Sequence, residues 1–171
     1  LHESNEVEWR KWSVNYEHEL NPLFPDTVTA EAERVVIAMG SGCQVIEEAV
    51  QHLVKQGKKV GVLKVHMYRP WSAEHFLQAL PATVKRIAVL DRTKEAGGVA
   101  EPLYLDVAGS LQRRGINNGF RDRLADDLMV VGGRYGLGSK DFTPAMAIAV
   151  FDNLAQEQPK DHFTGKHLIF K

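Results

Sequence analysis

The sequence predicts an α/β fold: three layers, with a mostly parallel sheet in the middle and helices on both of its faces. Three observations carry that prediction. Four short runs rich in β-branched residues lack apolar–polar alternation, so each reads as a strand buried on both faces. Stretches with apolar residues at helical spacing separate them. Glycine, proline and capping residues punctuate the junctions. Strands alternating with amphipathic helices favour parallel pairing, since each helix carries the chain back to the same end of the sheet through a right-handed crossover.

Residues 1–30 are expected to form an N-terminal arm. Val7, Trp9, Trp12, Val14 and Tyr16 are interleaved with charged residues in a helix-like pattern to about Leu20, and Asn21-Pro22 and Phe24-Pro25-Asp26 then make a linker. The two tryptophans suit packing on the domain itself or on a partner. The α/β domain is placed at 31–155. Its first strand is 35–39, ended by Gly40-Ser41-Gly42. A helix follows, with Val45, Ile46, Ala49, Val50, Leu53 and Val54 on one face and Gly57 as the residue that ends it. The second strand is 60–65, closed by Tyr68-Arg69-Pro70. Ser72 can cap a short helix that stops before Pro81.

The third strand, 87–90, runs into Asp91-Arg92-Thr93. After Gly97-Gly98 a helix carries Leu103, Leu105, Val107 and Leu111, and residues 113–119 break it. Residues 121–127 are of mixed charge, enough for one helical turn. The fourth strand is 128–131, followed by a glycine-rich loop at 132–138. Thr143-Pro144 is a cap with proline at the first helical position, and the last helix continues to Leu154. Residues 156–171 read as a polar tail ending in Leu168-Ile169-Phe170.

Composition narrows the function. The 171 residues carry 21 Lys+Arg against 22 Asp+Glu, so no global basic field attracts nucleic acid or anionic lipid. No apolar run approaches the ~18–20 residues of a membrane span, and the start is no signal peptide. A single cysteine, Cys43, excludes an intrachain disulfide and a Cys₄ iron–sulfur or zinc site. The expected compartment is the cytoplasm. The chain begins with Leu1 rather than Met, which fits a piece of a longer polypeptide.

In open α/β sheets ligands bind outside the carboxyl ends of the strands. That edge gathers Ser41, Arg69, Asp91, Arg92, Thr93 and the 132–138 loop with Gly133, Arg134, Gly136 and Gly138. Residues 133–140 come close to a phosphate-binding loop, but Ser139 precedes Lys140 and the helix signal at Thr143 comes too late. A glycine-rich turn needed for its backbone is the better reading. Cys43 lies at a helix start, where a thiol can be activated, yet packing explains it as well. None of the seven histidines makes a helical zinc pair, so solvated or packed rings are expected, His162 and His167 in the tail included. Asp91-Arg92-Thr93-Lys94-Glu95 suits an anion site, a charged interface or a surface ion-pair turn. Tyr68-Arg69-Pro70-Trp71 suits an interface anchor or a stacked turn. The residues alone supply no complete catalytic set and no metal ligands.

Four strings together carry a resemblance: residues 32–42, residues 59–71, residues 87–95 with Glu101-Pro102-Leu103-Tyr104, and residues 131–145. This chain resembles, over about 32–163, the second domain of the pyruvate:ferredoxin (flavodoxin) oxidoreductases, a domain similar to the C-terminal domain of transketolase. The resemblance implies a parent enzyme, expected to be a homodimer, that oxidatively decarboxylates pyruvate to acetyl-CoA. It would use thiamine diphosphate with Mg²⁺, coenzyme A and [4Fe–4S] clusters, and pass electrons to ferredoxin or flavodoxin. In the family other domains hold the thiamine cofactor and the clusters, so the implied role here is structural, with no cofactor bound, no catalytic residue, and other domains of the same polypeptide as partners. Ala96 stands where the family has proline, and the arm and the end after Thr164 depart from the family pattern. Two alternatives stay open: a non-catalytic module of another multidomain redox protein such as sulfite reductase, and an independent anion-binding domain using Arg69, Arg92 and the 132–138 loop.

Overall fold

The computed structural model describes residues 31–65, 68–113 and 124–164. The expected arm, the break after the third helix and the apolar end 168–170 lie outside the described residues, as do His2, His18, His66 and His167. The elements in chain order are β1 (Arg34–Met39), α1 (Gly42–Lys55), β2 (Val60–Val65), α2 (Ala73–Ala79), β3 (Arg86–Asp91), α3 (Pro102–Arg113), β4 (Met129–Arg134), a 3₁₀ turn (Leu137–Ser139), α4 (Pro144–Ala155) and β5 (Phe163–Thr164). The strands form one sheet in the order β2-β1-β3-β4-β5, and every pairing is parallel.

The near-continuous apolar runs are explained by the two faces of this sheet. Val35 and Ile37 of β1, with Ile87 and Val89 of β3, pack against Phe76 and Leu77 of α2 and Leu103, Val107 and Leu111 of α3. Val36 and Ala38, with Ala88 and Leu90, point the other way, against Ile46, Ala49 and Val50 of α1 and Val150, Phe151 and Leu154 of α4. Successive residues along a strand face opposite sides, so a strand covered on both must be apolar throughout.

Local signals fix the ends of the helices. Ser72 accepts the His75 N–H and Thr143 the Met146 N–H, each at 3.4 Å, and Pro144 opens α4. Gly57 takes φ +77° just beyond α1, and its N–H reaches the Val54 carbonyl at 2.8 Å. No helix among the described residues is long and apolar enough to cross a membrane.

Two features depart from the sequence expectation. β4 continues past Val131 through Gly132-Gly133 to Arg134. Glycine ordinarily weakens a strand, but here the missing side chain makes room: a Cβ on Gly133 would sit 2.5 Å from the Phe163 ring and 2.8 Å from Leu90. The second departure is the stretch 156–164, read as polar tail, which lies along the body of the domain. Arg86 donates to the Leu154 carbonyl at 2.7 Å and also to the Gln156 carbonyl. The Asn153 amide exchanges two hydrogen bonds with the Lys160 backbone, at 3.0 and 2.9 Å. The Asp161 carboxylate accepts the Gly132 N–H at 2.7 Å, and Phe163 is buried against β4. Side-chain-to-backbone bonds, rather than an apolar pattern, hold this segment, so hydropathy gives no sign of it.

Candidate functional site

The strand order turns back between β1 and β3: β2 lies on one side of β1, and β3, β4 and β5 follow on the other. The crevice outside the carboxyl ends of β1 and β3 is where such sheets take ligands. Here Tyr135, just after β4, fills it. Its hydroxyl donates to the Met39 carbonyl at 3.2 Å. Its ring covers Gly42, where a Cβ would lie 2.6 Å from the hydroxyl oxygen. Phe142 backs it with ring centroids 4.6 Å apart. Burial raises the Tyr135 hydroxyl above its ordinary pKa, which keeps the phenol protonated as a donor.

The candidate residues of this edge are brought to one end of the sheet but not to one site. Asp91 is buried and turned inward: its carboxylate accepts the Leu103 N–H at 3.1 Å and the Tyr104 N–H at 3.2 Å. It therefore caps α3 from a neighbouring strand and occupies the helix end that an anion would need. Burial raises its pKa, and the two backbone donors pull the other way.

Arg69 donates to Asp106 at 2.8 Å, with its guanidinium 3.8 Å above the Tyr68 ring. Tyr68 donates to the same Asp106 oxygen at 2.7 Å, and burial followed by that bond pushes its hydroxyl up to about 12. Trp71 donates from Nε1 to the Ser110 hydroxyl at 2.7 Å. The 68–71 turn, which contains a cis Arg69-Pro70 peptide, is thus clipped to α3. Arg134 donates from Nε to the buried Glu101 carboxylate at 2.5 Å. Arg92 is exposed and lies across Gly136, where a Cβ would sit 2.9 Å from its Nε. Gly136 and Gly138 hold φ +63° and +65°, which accounts for glycine in this turn without a ligand. Lys140 precedes α4 by a short extended stretch instead of standing at its first turn, so the phosphate-loop geometry does not form.

Cys43, at the start of α1, is buried, and desolvation pushes its thiol up to about 11. Of the described histidines, His52 pairs with Gln56 and His75 with Ser72, each at 2.8 Å. His162 differs: it faces the buried Glu101 on one side and Asp161 on the other. The sequence assigns no separate role to Glu101 or Tyr135, and His162 is expected there only as a solvated or packed ring. Only Glu101 carried a signal, an acidic residue directly before Pro102 at a helix start. No group of three or more His, Cys, Asp or Glu side chains that could hold a metal ion occurs among the described residues.

Comparison with known proteins is consistent in name and extent. A family model described as pyruvate:ferredoxin oxidoreductase core domain II matches residues 32–143. The pyruvate:ferredoxin oxidoreductase of Moorella thermoacetica is 57% identical over 142 residues, covering 83% of this chain and 11% of that protein. A pyruvate-flavodoxin oxidoreductase of Nostoc sp. is 53% identical over 138 residues, covering 79% of this chain and 12% of the relative. A mitochondrial pyruvate dehydrogenase [NADP(+)] of Euglena gracilis is 54% identical over 142 residues, 83% of this chain and 7% of the relative. The chain thus spans 11–12% of the length of the first two of these curated relatives.

Proposed function

Because the chain belongs to the pyruvate:ferredoxin oxidoreductase core domain II family, we propose that it is the organising, non-catalytic domain of an enzyme that oxidatively decarboxylates pyruvate to acetyl-CoA. Electrons would pass to ferredoxin or flavodoxin, the acceptors that name the relatives. Its direct partners are other domains of a longer polypeptide, and the assembled enzyme is a homodimer. The cytoplasm is the compartment we assign, supported by the single free cysteine.

The observation that carries the scaffold reading is Tyr135 in the crevice between β1 and β3. A doubly wound sheet that fills its own ligand crevice with a buried, hydrogen-bonded aromatic is built for rigidity at that edge. The cofactors of the proposed parent do not fit the donors present. A [4Fe–4S] cluster takes four thiolates, and Cys43 is one buried thiol. The acidic groups that could serve Mg²⁺ or a diphosphate's counter-ion are committed inward, Asp91 to the α3 backbone and Glu101 to Arg134. Thiamine diphosphate, Mg²⁺, coenzyme A and the clusters therefore belong to other parts of the parent in this reading.

The acceptor is set elsewhere as well. Relatives named for ferredoxin, flavodoxin and NADP(+) share this domain at 53–57% identity, which supports a role common to all three. A module of sulfite reductase gains nothing from relatives all named for pyruvate. Independent anion binding loses Arg69 to Asp106.

The test is titration calorimetry of the 171-residue chain with thiamine diphosphate plus Mg²⁺, and separately with coenzyme A, alongside a pyruvate-dependent dye-reduction assay. The expected outcome is no binding heat at millimolar ligand and no reduction. Saturable binding of either ligand, or turnover, would overturn the scaffold reading.

A further inference from the structure

Glu101 is 1% exposed, and only one of its carboxylate oxygens is hydrogen-bonded. Oε1 accepts from Arg134, whereas Oε2 is buried without a hydrogen-bond partner. Facing Oε2 at 3.9 Å is Nδ1 of His162, which is likewise buried and unpartnered. The other ring nitrogen, Nε2, lies 3.6 Å from Asp161 Oδ2. The imidazole is therefore flanked by a carboxylate oxygen on each nitrogen.

That placement selects a protonation state. A neutral imidazole has one N–H and one lone pair, so in either tautomer a lone pair confronts a carboxylate oxygen. With both nitrogens protonated, each carboxylate meets a donor, and the bonds formed are charge-assisted. The facing charges agree: Glu101 ahead of α3 and Asp161 on the ring's own segment are acidic, and Arg134 on β4 is the basic group opposite. Tyr104 of α3 contributes an uncharged wall, with its ring centroid 5.4 Å from the imidazole. Asp91, beyond Glu101, is tied to the α3 backbone.

The backbone keeps the ring at this position. His162 takes φ +47°, a left-handed conformation that few non-glycine residues hold. Gly132 leaves space beneath it, since a Cβ there would lie 3.2 Å from Nδ1. The His162 side chain is still 37% exposed, so a proton can reach it from solvent.

We propose that His162 is a proton-gated latch: doubly protonated, it closes onto Glu101 and Asp161 and locks β5 against β4, and neutral, it releases that strand. The Asp161 to Gly132 N–H bond remains in both states, so the change is a loosening of Phe163–Thr164, not unfolding. The latch stands independently of the scaffold reading, because it uses only groups within this domain.

The test is nuclear magnetic resonance on the 171-residue chain from about pH 5.5 to about pH 8, the span in which histidines titrate. The ring nitrogens of His162 are followed, and amide exchange of Phe163 and Thr164 is read as protection relative to the intrinsic rate. Protection of β5 should follow the protonation state of the His162 ring. Protection at Phe163 and Thr164 should fall about tenfold once the ring is neutral. Glu101→Gln should abolish this dependence of protection on the ring. Should that variant fail to fold, His162→Gln carries the test, since it should hold protection at the high-pH level throughout. Strand protection that ignores the state of the His162 ring would overturn the proposal.

Discussion

Cys43 shows how opposing effects on one residue are decided by magnitude. A helix start favours the thiolate, typically by a fraction of a kcal/mol to ~1 kcal/mol. Burial among Ile46, Ala49 and Tyr135 acts the other way and wins, moving the thiol from 9.0 to about 11. A two-unit rise leaves about a hundredfold less thiolate at neutral pH. Iodoacetamide should therefore alkylate the native chain at least about a hundredfold more slowly than the denatured chain. The native rate should also keep climbing beyond pH 9, where an ordinary thiol levels off. Equal rates in the two states would show an accessible, reactive thiol. The site residues were legible to a corresponding depth. The strand-end rule placed Arg69, Asp91 and Arg134 at one edge, because that depends only on where each strand stops. It could not say that each is committed internally, since the partners Asp106, Leu103 and Glu101 lie 12 to 37 residues away in sequence. Tyr135 looked like an ordinary member of a glycine-rich turn until Gly42 and Met39 were brought beneath it.

At the scale of elements, α3 depends on a cap supplied by a strand. Asp91 → Asn keeps one acceptor but turns an amide donor toward a backbone N–H, so we expect a loss of about 1–2 kcal/mol in urea unfolding at neutral pH. The pH dependence has a definite sign. Burial raises the Asp91 pKa in the fold above its ordinary 3.8, so above that value the native state holds a proton that the unfolded chain has released. The protonation-linked part of the Asp91 contribution is then largest below 3.8 and is lost as pH rises through the native pKa, while the bonds from the Leu103 and Tyr104 N–H groups persist at neutral pH. The stability gap between wild type and variant should narrow from about pH 4 upward, and a gap that widens would contradict this account of the cap. Most elements were legible because strand runs, helical spacing, Ser72 and Thr143 all pointed to the same assignments. β5 was not, because its two residues follow a polar stretch held by Asn153 and Asp161 rather than by an apolar stripe.

For the molecule as a whole, the faces of the sheet are covered by α1 and α4 on one side and α2 and α3 on the other, so the sheet itself offers no open face to a partner, and the strand-end loops are one place where contacts can be tested. The loop 92–99 is exposed at every position and ends in Val99, whose exposure of 86% is the largest of the big apolar residues exposed among the described residues. A lone exposed valine needs no explanation. This one sits on the same edge as Arg92 and the turn of Gly136, in a loop shaped by Gly97 at φ +80°, where the scaffold reading puts the neighbouring domains. Val99→Asp separates a docking role from a folding role. The side chain makes no part of either core cluster, so the 171-residue variant should unfold within about 0.5 kcal/mol of the parent chain. In the proposed full-length enzyme the same change would place a desolvated charge in an interdomain contact, which costs several kcal/mol when unpaired. Sedimentation and limited proteolysis of the full-length variant should then show loosened assembly, with pyruvate oxidation reduced in proportion. An assembled, fully active variant would mean that this loop faces solvent in the complete protein, and the organising surface would have to be sought elsewhere on the domain.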